Sequence, residues 1–257
     1  MWVMPAIDPV AFEIFGWPVR WYGLMYLVGV WLGWLYIRAY AYRSTRMMQK
    51  EIDDFLPWCI AGIVLGGRLG YVLFYSLDYF LKEPFLILHV WQGGMSFHGG
   101  LLGVAVAFLL FTWIRRLSLS LLVDFWVLGV PIGLFFGRIG NLINQEAYGR
   151  ITTVPWAVVF PFVDGYPRHP SQIYEALLEG VLLFLILRLS VRTLIVRPWA
   201  MTGAFLLGYG VFRWFAEIYR VPDGLIVWGG MTLTMGQALS LPMIIIGGGL
   251  LWWRLRN

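Results

Sequence analysis

The chain has 257 residues, 60% of them hydrophobic and only 13% charged, with a mean hydropathy of +0.74. These values exclude an ordinary soluble domain and identify a polytopic, all-α integral membrane protein, long enough for about seven spans at roughly 20 residues each. The net charge of +5 does not imply nucleic acid, because the basic residues cluster in alternate loops, as membrane topology requires.

No secretory leader is expected at the start, since residues 1–16 contain no Lys or Arg and carry Asp8 and Glu13. A first span over about 17–36 opens on Arg20-Trp21-Tyr22-Gly23, an arginine and an aromatic pair at interface depth. Arg38, Arg43, Arg46 and Lys50 follow in the loop. The second span, about 55–75, holds Gly62, Gly66, Gly67 and Gly70, which permit close helix approach. It also holds Arg68, an intramembrane charge that needs a partner. The single cysteine, Cys59, lies in the same apolar run and reads as a buried, inert thiol; it excludes an intrachain disulfide or a cysteine metal site.

Residues 76–99 form a long connection in which 85–91 reads as a short amphipathic or re-entrant piece. It leads to Gly93-Gly94-Met95-Ser96-Phe97-His98-Gly99-Gly100. Span three, about 101–114, closes on Arg115-Arg116, and span four, about 121–136, delivers the most polar stretch at an apolar edge: Gly137-Arg138-Ile139-Gly140-Asn141-Leu142-Ile143-Asn144-Gln145-Glu146-Ala147-Tyr148-Gly149. A charge at membrane depth costs at least ~2.5–3.5 kcal/mol on insertion scales. On a helix, Arg138 and Asn141 share a face that Gln145 continues. That face is either equipment for gripping a phosphate, a guanidinium fork beside amide donors, or a capped helix end with a snorkelling arginine.

Residues 141–170 read as an extramembrane insertion, with β-branched and aromatic content over 152–160 that suggests a short strand or two. Span five runs over about 172–189, with Ser171 after Pro170 as its N-cap. Span six covers about 199–218 and the last about 235–253. One set of loops carries Arg38, Arg43, Arg46, Lys50, Arg115, Arg116, Arg188, Arg192, Arg197, Arg254 and Arg256. The other carries Arg20, Lys82, Arg150, Arg168 and Arg220. The richer side is expected to be cytoplasmic, with the N-terminus outside, the C-terminus inside and the polar motifs gathered on the outer side.

Arg213, Glu217 and Arg220 form one stripe. It is either a self-compensated ion network or a cationic wall in which Glu217 aims one arginine while the other stays free for an anion. His98 is either a hydrogen-bonded structural residue or a base. Imidazoles titrate near ~6.5 in water, suited to taking a proton from a thiol or hydroxyl, and the flanking glycines leave room for a ligand. Glu175 and Glu179 share a face, and one of them is a candidate partner for Arg68. His89 has no supporting constellation, and no acidic or histidine pair has metal-ligand spacing. A Ser–His dyad using Ser96 or Ser171 lacks a glycine-framed nucleophile. A lipid transporter using the same arginines would show repeated halves, which this chain lacks.

Five motifs together are similar to those of bacterial phosphatidylglycerol–prolipoprotein diacylglyceryl transferases. They are the 137–149 stretch, Arg20-Trp21-Tyr22-Gly23-Leu24-Met25-Tyr26, the 93–100 segment, His169-Pro170-Ser171-Gln172-Ile173-Tyr174-Glu175, and Phe212-Arg213-Trp214-Phe215-Ala216-Glu217. They stand in the family's order and cover about 9–222; Leu142 replaces a frequent phenylalanine. The resemblance implies about seven transmembrane helices with a small periplasmic head of short strands between helices four and five. It implies transfer of diacylglycerol from phosphatidylglycerol to the lipobox cysteine of a preprolipoprotein in the inner membrane, the first step of lipoprotein modification, without a cofactor. It ties activity to the residues matching Tyr22, His98, Arg138, Asn141, Gly149 and the Arg213–Glu217 pair. Asn144 and Glu146 join the lipid-binding set, and Gly99, Ser171, Glu175 and Arg220 shape the site. Because the attacking thiol belongs to the substrate, the chain needs no cysteine of its own.

Overall fold

The computed structural model describes residues 2–44, 46–90, 93–228 and 231–256. They fall into two compact units, residues 38–123 and the remainder on either side of them.

The larger unit begins with β1 (Trp2–Val3) and the antiparallel pair β2 (Val10–Ile14) and β3 (Trp17–Arg20), which runs straight into α1 (Trp21–Ser44). The first apolar helix therefore starts at Trp21 and not at 17, because the β2 pairing claims the residues before it. The chain returns to the larger unit within α5 (Leu119–Trp126), which is followed by α6 (Val130–Ile143), the two bent by 42° in place of one straight span. Gly129 and Pro131 lie at that break, where proline removes a backbone donor. β4 (Val158–Val159) pairs in parallel with β1 and antiparallel with β5 (Pro167–Arg168), giving the short strands expected near 152–160, with β1 as an unforeseen third member. The helical run from 171 is continuous to 194 but changes character: α7 (Ser171–Glu175), a π-helical stretch (Ala176–Leu182), then α8 (Leu183–Leu194). α9 (Ala200–Ala216), the antiparallel pair β6 (Leu225–Trp228) and β7 (Met231–Thr234), and α10 (Met235–Arg256) complete the unit. The start of α9 is held by buried Asp124, whose carboxylate accepts from Trp199 N at 2.6 Å and from Thr202 N and Oγ1 at 2.8 and 2.6 Å.

Glycine lets these helices meet backbone to backbone. A Cβ built on Gly29 would lie 3.0 Å from Gly133 Cα, and one on Gly33 would lie 3.0 Å from Gly129 O, so α1 meets the backbone of α6 and of its N-cap Gly129 directly. Near their other ends Tyr22 takes up the space, and a Cβ on Gly140 would stand 3.0 Å from its ring.

The smaller unit contains α2 (Arg46–Tyr75), α3 (Leu77–Lys82), a 3-10 turn (Pro84–Leu88) and α4 (Phe97–Arg115). Helix α2 starts well before the expected 55, because its first turns stay amphipathic and pair Arg38 with Asp53 at 3.0 Å. Gly62 and Gly70 sit against Gly103 and Gly99 of α4, where added Cβ atoms would come within 2.7 Å of its backbone. The expected glycine-mediated contact is this one. The 85–91 piece is a helical turn as far as residue 88; Trp91 lies outside the described residues.

Arg68 finds no carboxylate among the described residues. It donates to five carbonyls: Nε to Ile87 O at 2.9 Å, Nη1 to Gly93 and Gly94 O at 2.6 and 3.2 Å, and Nη2 to Leu86 and His89 O at 2.6 and 3.3 Å. Its guanidinium also lies 5.0 Å from the Phe80 ring. The expected glutamate partner is thus replaced by a loop wound around the cation, since a planar fork of five N–H groups suits carbonyls as well as acids.

Among the described residues four helices are long and apolar enough to cross a membrane (Trp21–Tyr42, Met48–Tyr75, Phe97–Arg115 and Met235–Arg256), and five if the bent pair is one span. The protein is a mostly helical, multi-pass membrane protein. Arg68→Gln would leave several carbonyls without donors at ~1–3 kcal/mol each. We expect a fall in melting temperature in detergent well beyond that of an exposed variant such as Lys82→Gln; equal losses would show that water replaces the guanidinium.

Candidate functional site: a buried arginine–glutamate cluster

The site lies within the larger unit and is assembled around Glu175, at the junction of α7 and the π-helical stretch. Its carboxylate is fully buried. Oε2 stands 2.9 Å from Arg138 Nε, and Oε1 accepts from Arg213 Nη1 at 2.7 Å and lies 3.6 Å from Arg220 Nη1. Glu179, one turn on in the π-helical stretch, accepts from Arg138 Nη2 at 3.0 Å and lies 3.8 Å from Arg213. Arg213 closes on Glu217 at 2.6 Å along α9, and Arg220 pairs outward with exposed Asp223 at 2.7 Å.

Three arginines and three glutamates thus neutralise one another where no charge would survive alone. Removing water from an ion costs several kcal/mol, recovered only by close, well-oriented partners. The arginine side chains keep only 10–16% of their exposure. Arg138 uses Nε and Nη2 on the two glutamates, and its Nη1 has no partner among the described residues. A π-helical turn shifts the register of side chains on one face and is common at functional sites; here it carries Glu179.

The 141–149 segment is tied down beside this cluster. Helix α6 ends at its C-cap Asn144, and Gln145 and Ala147 take left-handed backbone, φ 56° and 55°. Gln145 therefore does not continue the Arg138–Asn141 face. It is buried, accepting from Phe162 N at 2.9 Å. Asn141 accepts through its carbonyl from Glu146 N at 2.9 Å, and Asn144 Nδ2 reaches Glu146 Oε1 at 3.4 Å. Ser171 does not cap its helix, whose N-cap is Pro170. Its hydroxyl donates to Ala147 O at 2.8 Å, while Gln172 donates to Glu146 O at 2.6 Å. The helix start thus straps the loop.

Gly149 bridges to Arg220, and its N donates to His169 O at 3.0 Å. A Cβ there would collide with His169 and the Tyr219 carbonyl, so only glycine lets these strands close. Gly236 does the same for Glu217, whose carboxylate occupies the place of its missing side chain. Beside the cluster, Arg168 bonds Asp164, stacks over Tyr148 at 4.9 Å and donates to Gly149 O at 3.0 Å. That bond holds the Asp164 carboxyl below its usual range, and burial pushes the His169 imidazole down.

The structure brings Arg138, Glu175, Arg213, Glu217 and Arg220 together, with Gly149 bridged to Arg220. Tyr22 stands against Gly140, its hydroxyl 3.2 Å from Tyr26. Of the two arginines of the stripe, Glu217 holds Arg213, and Arg220 is engaged by Asp223. Glu179 and Gly236 belong to the site and were missed as members. The four-residue spacing from Glu175 was the signal for Glu179, whereas nothing local marks Gly236.

His98 belongs to the smaller unit. It stands exposed in the first turn of α4, whose N-cap Ser96 accepts from Gly99 N at 3.2 Å. Its ring lies edge-on to Phe97, with centroids 5.7 Å apart. The glycines around it differ in the room they leave: a Cβ on Gly93 would meet nothing within 4 Å, and one on Gly100 only Ile63 O at 3.5 Å. Gly99 is filled by the backbone of Gly66 and Gly70, and Gly93 and Gly94 turn the chain at φ 87° and 75°.

Fold and site define a membrane-embedded protein whose polar machinery is a buried cation cluster on apolar helices. The family described as prolipoprotein diacylglyceryl transferase matches residues 9–253. Proteins named phosphatidylglycerol–prolipoprotein diacylglyceryl transferase match almost end to end. The one from Paramagnetospirillum magneticum is 49% identical, covering 98% of this chain and 96% of its own. That from Azospirillum brasilense is 53% identical over 95% and 92%, and that from Pseudomonas aeruginosa strain LESB58 is 49% identical over 100% and 97%. The chain belongs to the prolipoprotein diacylglyceryl transferase family, and is a transferase.

Removing one partner of a buried ion pair costs ~3–5 kcal/mol, against ~0–1 kcal/mol for an exposed one. Glu175→Gln is therefore expected to lower the melting temperature in detergent far more than Asp54→Asn, which breaks the half-exposed Arg115–Asp54 pair. Comparable losses would mean that the cluster is wet.

Proposed function

We propose that this protein transfers the diacylglyceryl group of phosphatidylglycerol to the thiol of the lipobox cysteine of a preprolipoprotein, forming a thioether and releasing glycerol 1-phosphate. Family membership supports the reaction class. The observation that carries the reading is the convergence of Arg138, Arg213 and Arg220 on Glu175, because a reaction that expels a phosphate monoester needs pre-aimed guanidinium groups.

A thiolate attacks the glycerol carbon that bears the phosphate. The S–C bond forms, the C–O bond breaks, and the electron pair leaves on the phosphate oxygen. Two demands follow. The thiol, with a free pKa near ~8.5, must lose its proton, and charge growing on the departing phosphate must meet fixed donors. Arg138 and Arg213 are proposed as that clamp, with Asn141, Asn144 and Glu146 completing the lipid-binding set. The glutamates hold the guanidiniums in place before the lipid arrives, so little reorganisation is left for the reaction itself. Tyr22 is proposed to donate to a phosphate or glyceryl oxygen. His98 is proposed as the base, for which its exposed imidazole, free of side-chain hydrogen bonds among the described residues, is suited. Gly99, Gly149, Ser171, Glu175 and Arg220 shape the site.

The proposed topology has seven spans: α1, α2, α4, the α5–α6 pair, the 171–194 run, α9 and α10. Residues 141–170 form a periplasmic head, the N-terminus is periplasmic and the C-terminus cytoplasmic. The basic-residue distribution supports this orientation, and the inner membrane is the proposed location.

Purified protein with phosphatidylglycerol and a lipobox peptide should release glycerol phosphate only when the acceptor is cysteine and not serine. Release that ignores the acceptor would refute the transfer. In that assay Arg138→Lys, which keeps the charge and loses the fork, should slow transfer by at least ~100-fold; near-normal turnover would sink the clamp. His98→Gln should lower the rate by ~10²-fold or more and abolish the imidazole limb of the pH profile. An unchanged profile would leave His98 without a role as base.

A further inference from the structure

A second polar feature lies in the larger unit, apart from the ion cluster. It is a wide, open-mouthed cavity of about 630 Å³ between the head strands and the β6–β7 pair, lined among others by Arg150, Arg168, Leu225, Thr232, Thr234 and Gln237. Its size falls within the usual ligand range of ~300–1,000 Å³. No Asp or Glu is among its lining residues.

The lining is rich in donors. Arg150 uses Nε on the Arg220 carbonyl at 3.1 Å, and both of its Nη groups have no partner among the described residues. Gln237 Oε1 accepts from Thr234 N at 3.1 Å, which fixes the amide and leaves its NH2 group without a partner among the described residues. Thr234 Oγ1 accepts from Gln237 N at 3.1 Å, so the two residues hold each other in place. Arg168, buried and bonded to Asp164 and Gly149 O, forms a rigid wall. Leu225 adds an apolar flank. The exposed guanidinium end of Arg150 and the amide of Gln237, with no Asp or Glu in the lining, suit a compact anion.

Position narrows the anion. Arg220 contributes its carbonyl to Arg150 and its guanidinium to Glu175, at 3.1 and 3.6 Å, so one residue joins the cavity wall to the cluster. We propose that this cavity is a second anion site, which takes a glycerol phosphate ester either as the released monoester or as the headgroup of the lipid. The identity of the ester rests on the transfer reading above; the anion site itself does not.

The test uses the full chain and no turnover. Titration of detergent-solubilised protein with glycerol 1-phosphate should give a Kd that rises about tenfold or more in Arg150→Gln and in Gln237→Leu, as expected for loss of hydrogen bonds to a charged group. Both variants should keep a cooperative melt, and the Arg150-dependent binding should persist in Arg138→Gln, whose lost guanidinium belongs to the clamp and not to this wall. If the soluble ester binds wild type and variants alike, nanodiscs decide. A tenfold weakening in Arg150→Gln for phosphatidylglycerol but not phosphatidylcholine discs assigns the site to the headgroup. No Arg150-dependent binding of either ester overturns the proposal, as does loss of binding confined to Arg138→Gln. Arg150-dependent binding without transfer activity would remove the reaction and keep the site. Transfer without such binding would remove the site and keep the reaction.

Discussion

One carboxylate, that of Glu175, decides the arrangement of the larger unit's polar centre. It accepts from or faces Arg138, Arg213 and Arg220 at 2.9, 2.7 and 3.6 Å, and these arginines come from α6, from α9 and from the turn after α9. In a water-poor setting a charge needs partners at contact distance. Each element that brings an arginine is therefore fixed in rotation and depth by the same acid. Glu179 and Glu217 complete the neutralisation, and the whole cluster is a preset array of N–H donors.

Such an array needs its elements very close together. Tyr22 lies against Gly140, Gly149 admits the His169 and Tyr219 backbone, and Gly236 leaves the room that Glu217 fills. At the latter two positions a methyl group would occupy space already taken, so these glycines serve the ion cluster as directly as the charged residues do. The straps from Ser171 and Gln172 to the carbonyls of Ala147 and Glu146 act in the same direction, holding the signature loop to the start of the helix that carries Glu175.

The smaller unit meets the same physical demand differently. Among the described residues Arg68 has no acid, and its five donors are met by carbonyls of a loop that folds back over α2. Carbonyl dipoles disperse the charge without cancelling it, so this solution favours a rigid loop over a neutral cluster. Among its acceptors are Gly93 and Gly94, which precede the helix bearing His98. The conformation of that approach is thus set by a side chain from another helix, α2.

The amino-acid sequence by itself determined the membrane class, the positions of the apolar helices, the presence of short strands near 158 and the motifs that place the chain in its family. These are local properties: hydropathy, glycine spacing and residue type at fixed intervals. It also determined the Arg213–Glu217 pair, because residues four apart on a helix meet whatever surrounds them. Only the tertiary structure decided which charges meet across elements. Glu175 and Glu179 share a face whose partner the spacing leaves open, Arg68 being one candidate, and the structure gives them Arg138 and Arg213. Those choices depend on which helix faces come within 3–4 Å, a distance set by glycine seams and by β1–β4 and β6–β7 pairings that have no periodic trace. Helix faces are written in the spacing of residues, whereas ion-pair partners are written in the packing.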